Sequence, residues 1–216
     1  MRGDKIIVEP HHTKAAEAIL PLILPTIEAS QGKYTLAVAG ESGSGKSEMA
    51  TAIADSLATH GIACIIFQQD DYFVHPPKTN DRVRRQDIRW VGPQEVRLDL
   101  LDRQLKDFLD GVASIEKPLA IYEEDRFTAE TVATEDASVA IAEGTYTSLL
   151  QNASTKIFID RDYTDTRAHR EKRLRDTAEL DPFIDDVLRI EHEIIAAHRS
   201  RADIVINKDY SVGSEG

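Results

Sequence analysis

Cysteine is nearly missing. Cys64 stands alone among 216 residues, so no disulfide can close within the chain and the fold has to rest on a buried core. Positive charge is scarce as well: 26 Lys and Arg face 38 Asp and Glu, a formal net charge of −12. A chain so acidic is a poor general binder of nucleic acid or of anionic membrane, although local basic patches are allowed. Long hydrophobic runs are absent. The most apolar stretch, residues 18–27, is broken by Pro21 and Pro25 and is too short to span a bilayer. Met1-Arg2-Gly3-Asp4 lacks the apolar run of a secretion signal. Repeats and low-complexity tracts are missing too. What is there is 41% hydrophobic and 30% charged, the balance of a water-soluble globular chain of one domain or a domain with an appendage. The expectation is a cytoplasmic protein that binds neither nucleic acid nor membrane, with a homo-oligomer left open.

Short β-prone runs alternate with helical spacing. Strands are expected at 5–8, 34–39, 62–67, 119–122, 139–142, 156–159 and 202–206. Helices are expected at 46–60, 94–109, 164–175 and from 182 to about 198, and at 13–29, where two prolines weigh against one. Asp181 before Pro182 supplies a cap with proline at the first helical position. Residues 76–89 read as a polar, basic loop, in which Lys78, Arg82, Arg84, Arg85 and Arg89 are either a site for an anionic acceptor group or simply part of a mobile loop, the loop being favoured, and 127–134 reads as a hairpin or loop. Apolar strands separated by helices imply an α/β chain with a parallel sheet covered on both faces.

Between the second of these strands and the helix from Lys46 lies Gly40-Glu41-Ser42-Gly43-Ser44-Gly45-Lys46-Ser47, which fits G-x-x-x-x-G-K-[ST] at every position. Glycines let backbone N–H groups turn inward around phosphate oxygens, and the helix that follows adds its positive end. Lys46 is expected to reach the β- and γ-phosphates of a nucleotide, and Ser47 to bind Mg²⁺. A bare glycine-rich turn is the alternative, but its strand-before, helix-after context is the one the mechanism needs.

Topology carries the argument further. In an open α/β sheet, ligands bind beyond the carboxyl ends of the strands. The loop at Gly40 marks that edge. A strand at 62–67 then delivers Gln69-Asp70-Asp71-Tyr72-Phe73 to the same edge, and the strand at 139–142 delivers Glu143-Gly144. Asp70 and Asp71 are candidates to orient an acceptor hydroxyl and take its proton, and in an extended segment only one of them faces the phosphate. Glu143 is a candidate for Mg²⁺, through water or directly. A solvated turn or a surface ion pair is the plainer reading of each. Downstream, Arg161, Arg167, Arg170, Lys172, Arg173 and Arg175 crowd together in an otherwise acidic chain. Guanidinium forks suit a transferring phosphoryl group, while a solvated helix paired with Asp165, Glu171 and Asp176 is the alternative. No histidine spacing argues for a metal site.

With these motifs in this order, the chain resembles the uridine kinase and phosphoribulokinase group of P-loop small-molecule kinases. The resemblance runs from about 34 to 206. It implies a P-loop NTPase three-layer fold with a five-stranded parallel core, helices on both faces and a helical lid. It divides the chain into a strand/helix extension at 1–30 and a kinase domain at 31–216, with a basic lid at about 161–180. The implied ligands are ATP, Mg²⁺ and a nucleoside-like or sugar-like acceptor. The family pattern implies Asp70, not Asp71, as the base. It assigns Lys46, Arg170 and Arg173 to catalysis and residues 40–47 with Arg167 to the nucleotide. Tyr72, Tyr122 and Arg175 fall on the acceptor side, and Ser47 and Glu143 on the metal. Two segments depart from uridine kinases: Val91-Gly92-Pro93-Gln94 replaces an H-P-D segment, and Tyr122-Glu123-Glu124-Asp125-Arg126 replaces Y-D-F and a following histidine.

Two other classes compete with a kinase. A nucleotide-dependent switch of the GTPase type wants D-x-x-G and N-K-x-D; this chain has Glu143-Gly144 and Asn207-Lys208-Asp209, and neither fits. A non-catalytic nucleotide-binding protein has no need to keep Lys46, Ser47, Asp70 and Glu143 together.

Overall fold

Seven consecutive residues of β1, Tyr34–Gly40, are buried, as a strand with neighbours on both sides and helices on both faces requires. The computed structural model describes residues 6–30, 32–166 and 181–214. In it β1 pairs in parallel with β5 (Val139–Gly144) on one side and β6 (Thr155–Ile159) on the other. β2 (Cys64–Gln68) pairs with β5, and β7 (Ile204–Ile206) with β6, giving five parallel strands. A short antiparallel edge strand, β8 (Val212–Ser214), completes the order β2-β5-β1-β6-β7-β8. The expected parallel core is thus present, with one added strand too short to leave a sequence signal.

Strand alternation sorts the side chains into two cores. Leu36, Val38, Ile141, Ile157 and Ile159 face α1 (Pro10–Ala29) and α2 (Lys46–Ala58), meeting Ile19, Ile23, Met49 and Ile53. Ala39, Ala140, Ala142 and Phe158 face the other way, toward Leu101, Leu105 and Phe108 of α4 (Leu98–Leu109) and Ile195 at the end of α5 (Pro182–Ile195). Small alanines on that face make room for the large side chains of α4. Burying each such Leu or Phe stabilises the fold by about 1.5–3 kcal/mol.

Several expectations are corrected. Residues 6–9 are irregular rather than a strand. The first helix forms despite Pro21 and Pro25 because the two prolines, four apart, lie on its exposed face with Glu17. The carbonyls they leave unpaired therefore have water as a partner. Residues expected to be a loop form α3, Pro77–Gln86. No apolar stripe announces this helix; its start is capped from outside, where Asp125 Oδ1 accepts from Lys78 N at 2.8 Å and Thr79 N at 3.0 Å. Asp125 sits in the turn of a hairpin made by β3 (Ser114–Ile121) and β4 (Arg126–Ala133). The cap at Asp181 is present as expected, its side chain accepting from Phe183 N.

Candidate active site

The phosphate loop leaves β1 at Gly40 and enters α2 at Lys46. Gly45 has φ +94°, and a Cβ there would stand 2.8 Å from the Tyr210 hydroxyl and 3.1 Å from His12 Nε2, so only glycine fits. The loop is braced from behind: Tyr210 donates to Ser44 O at 3.1 Å, and Arg161 Nη1 donates to the Tyr210 hydroxyl at 2.8 Å. Lys46 Nζ donates to Glu41 O at 2.8 Å. Ser44 Oγ is buried and has no hydrogen-bond partner among the described residues. Glu41 turns its carboxylate away, accepting from Tyr163 N at 2.7 Å and meeting His192 Nδ1 at 2.6 Å. Burial pushes the Glu41 carboxyl above its ordinary value, against the pull of His192. Thr166 Oγ1 donates to Ser42 O at 3.1 Å, so the loop also holds the chain segment that precedes residue 167. Arg167, Arg170, Arg173 and Arg175 lie outside the described residues.

Beside the loop, Ser47 Oγ donates to Glu143 Oε1 at 3.0 Å. Glu143 is buried, and its pKa is raised to about 7, first by loss of water and next by the negative charge of Asp70; Lys46 and Ser47 oppose the shift. Gly144 is needed for close approach: a Cβ there would fall 2.2 Å from Gln69 Cβ. Gln69 Oε1 in turn accepts from Tyr146 N at 2.7 Å.

Residues after β2 do not run on as an extended strand. Gln69–Tyr72 is a 3₁₀ turn, which puts Asp70 and Phe73, three apart, on one side. Asp70 and Phe73 line a cavity of about 180 Å³ with Tyr122 and four α3 residues, Pro77, Asn80, Asp81 and Arg84. Asp71 is buried instead, bonded to Lys117 Nζ at 2.7 Å and Ala120 N at 2.9 Å, and so docks the hairpin. Tyr72, expected on the acceptor side, is fully buried and donates to Gln104 Oε1 at 2.5 Å; Phe73 takes its place in the wall. Of these α3 side chains, sequence reading singled out only Arg84, as one of a basic stretch; nothing local marks Pro77, Asn80 or Asp81. Arg84 pairs with Glu95 and, across the molecule, with Glu191 Oε1 at 3.2 Å.

Known proteins resemble this chain in fold and in sequence. D-glycerate 3-kinase from Cryptococcus neoformans superposes with a TM-score of 0.63 over 92% of this chain and 98% of that one, at 12% identity, a likeness of fold. A uridine kinase from Ligilactobacillus salivarius is 31% identical over 184 residues, covering 79% of this chain and 83% of the relative. The bifunctional alpha-galactosidase/sucrose kinase AgaSK from Mediterraneibacter gnavus is 27% identical over 199 residues, 85% of this chain but only 21% of that protein. Sheet order, phosphate loop and these likenesses define a P-loop kinase, a phosphotransferase whose acceptor is a hydroxyl of a small molecule. Within that class, the chain belongs to the phosphoribulokinase/uridine kinase family, whose model matches residues 35–208.

Proposed function

We propose that the protein transfers the γ-phosphate of ATP to a hydroxyl of a nucleoside-like or sugar-like acceptor, with Mg²⁺ at Ser47 and Glu143. The observation that carries this reading is the convergence on Glu143 of Ser47, which bonds it, and of the charges of Lys46 and Asp70, with Asp70 also lining the adjoining cavity. The donor set suits the ion. Hydroxyl and carboxylate oxygens are hard ligands, and Mg²⁺ takes few from a protein, relying on phosphates and water for the rest. That agrees with the lack, among the described residues, of any cluster of three or more His, Cys, Asp or Glu able to hold a metal. The unpartnered Ser44 Oγ and the glycine-lined turn suit phosphate oxygens in the same way. When bound, the metal would supply charge neutralisation between the phosphates.

The chain's own residues then divide the work. Lys46 and the amides of residues 40–47 hold the phosphates. Asp70 orients the acceptor hydroxyl and accepts its proton, while Tyr122 contributes to the acceptor wall. Arg167, Arg170, Arg173 and Arg175 are proposed to close over the phosphates and acceptor, and closure keeps water from competing for the γ-phosphate. The substitution Asp70→Asn tests the reading. It is expected to lower kcat by about 10²–10⁴-fold with nucleotide affinity unchanged. Unaltered turnover, measured as ADP release with acceptor present, sinks the assignment.

A further inference from the structure

Among the described residues, three charged side chains wall the acceptor cavity: Asp70, Asp81 and Arg84. The cation of these three is already committed. Arg84 Nε donates to Glu95 Oε2, and Nη2 donates to Glu95 Oε1 at 3.0 Å and Glu191 Oε1 at 3.2 Å. The Glu95 side chain is wholly buried and that of Glu191 is 8% exposed. Glu95 is itself fixed by Asn80 Nδ2 and Gly92 N, each at 2.7 Å. Two buried carboxylates thus lock the guanidinium plane and oppose its charge. Nearby cations are engaged as well: Arg85 bonds Asp81 of the wall together with Asp181, and Lys78 bonds Glu123 O while lying over the Tyr122 ring. Nη1 of Arg84 has no bond to the protein among the described residues, which leaves one oriented donor edge.

Resting on the kinase reading above, we propose that Arg84 determines acceptor specificity. Its free edge donates to an uncharged polyhydroxyl acceptor whose other hydroxyls donate to Asp70 and Asp81. Asp70, together with Glu95 and Glu191 behind Arg84, turns away acceptors that already carry a phosphate or carboxylate, because like charges brought together in a desolvated site are strongly disfavoured. Sugars, polyols and the sugar moiety of nucleosides meet this description; their phosphate esters do not.

Matched pairs test it: fructose and fructose 6-phosphate, ribose and ribose 5-phosphate, uridine and uridine 5′-monophosphate, glycerol and glycerate. ADP release is measured for each on the full chain. The neutral member of every active pair is expected to exceed its charged twin in kcat/KM by about 100-fold or more. A charged twin that matches or beats its neutral partner overturns the inference and leaves the kinase reading standing. Failure of every acceptor overturns both, since the inference depends on that reading. The variant Glu191→Gln removes one opposing charge without touching the cavity wall. It is expected to raise the charged-to-neutral ratio about tenfold with the KM for ATP held, and to lower the melting temperature because a buried pair loses a charge. An unchanged ratio under those conditions denies the carboxylates their selective role.

Discussion

The donor side and the acceptor side of the cleft are built by opposite means. On the side read as the donor site, eight consecutive residues from Gly40 to Ser47 form one contiguous loop, and what they offer a phosphate is largely backbone. On the acceptor side, side chains come from six separate places: Asp70, α3, Glu95, Tyr122, Asp125 and Glu191. The difference is chemical. A polyphosphate is the same in every kinase of this kind and is held by a nest of N–H groups with fixed local spacing. An acceptor differs from one kinase to the next, and its recognition calls for side chains that can change without disturbing the nest. The two halves meet on α5, where Glu191 holds Arg84 and its neighbour His192 holds Glu41 of the phosphate loop.

The largest expected effect lies wholly on the donor side. Replacing Lys46 by Met takes away the cation beside the phosphates while keeping helix propensity and side-chain length. A kcat loss of about 10³-fold is expected, with the KM for acceptor nearly unmoved. Steady-state kinetics with both substrates varied will read the split. A comparable rise in acceptor KM breaks the division between the two halves.

What could be read in the sequence follows the same line. The placing of Lys46, Ser47 and Glu143 side by side was legible because a contiguous motif and a strand end fix it. That Asp70 and not Asp71 faces the cavity was legible only by resemblance, since the alternation rule that should choose between them presumes an extended strand. The 3₁₀ turn at Gln69–Tyr72 replaces that rule with a three-residue period, which buries Asp71 and Tyr72 and exposes Asp70 and Phe73 to the cavity. Arg84 was legible only as one of a basic stretch, and neither α3 nor the pairing of Arg84 with buried carboxylates was. Their partners, Glu95, Glu191 and Asp125, are distant in sequence, and a helix that is capped and charge-paired from outside needs no apolar stripe of its own.

Glu143 stands between the halves and gives the next effect in size. Its folded-state pKa, about 7, lies above the ordinary carboxylate value of 4.5. The folded state therefore holds its proton more tightly than the unfolded chain does. Stability from this group is present in full below about pH 4.5, declines as pH rises through about 7, and is flat beyond. Glu143→Gln removes the titration. Without nucleotide or metal, the variant is expected to be more stable than the parent at pH 8 by about 2–3 kcal/mol, with little difference at pH 5. Its turnover should fall at the same time, the trade expected where a strained group serves function. Denaturant melts at the two pH values check the sign. A parent whose stability does not drop between them contradicts the burial of an ionising carboxylate beside Asp70.

The smallest effect sharpens the comparison most, because it acts on the acceptor side without altering any wall residue. Asp125 caps α3 through Lys78 N and Thr79 N and also accepts from Thr79 Oγ1 at 2.7 Å and Arg82 Nη2 at 3.0 Å. Losing such a cap costs a helix about 1–2 kcal/mol. In Asp125→Ala the start of α3 loosens from the hairpin turn, and with it Asp81 and Arg84 lose part of their fixed position. The expected result is a rise of about tenfold in acceptor KM, with kcat and the KM for ATP nearly unchanged, and with global stability down by no more than the cap is worth. Asp125→Asn, which keeps an oxygen to accept from the helix amides, should recover most of the loss. If instead the KM for ATP rises in step with that for acceptor, then α3 is coupled through Arg84, Glu191 and α5 to the phosphate loop, and the two halves of the cleft respond as one.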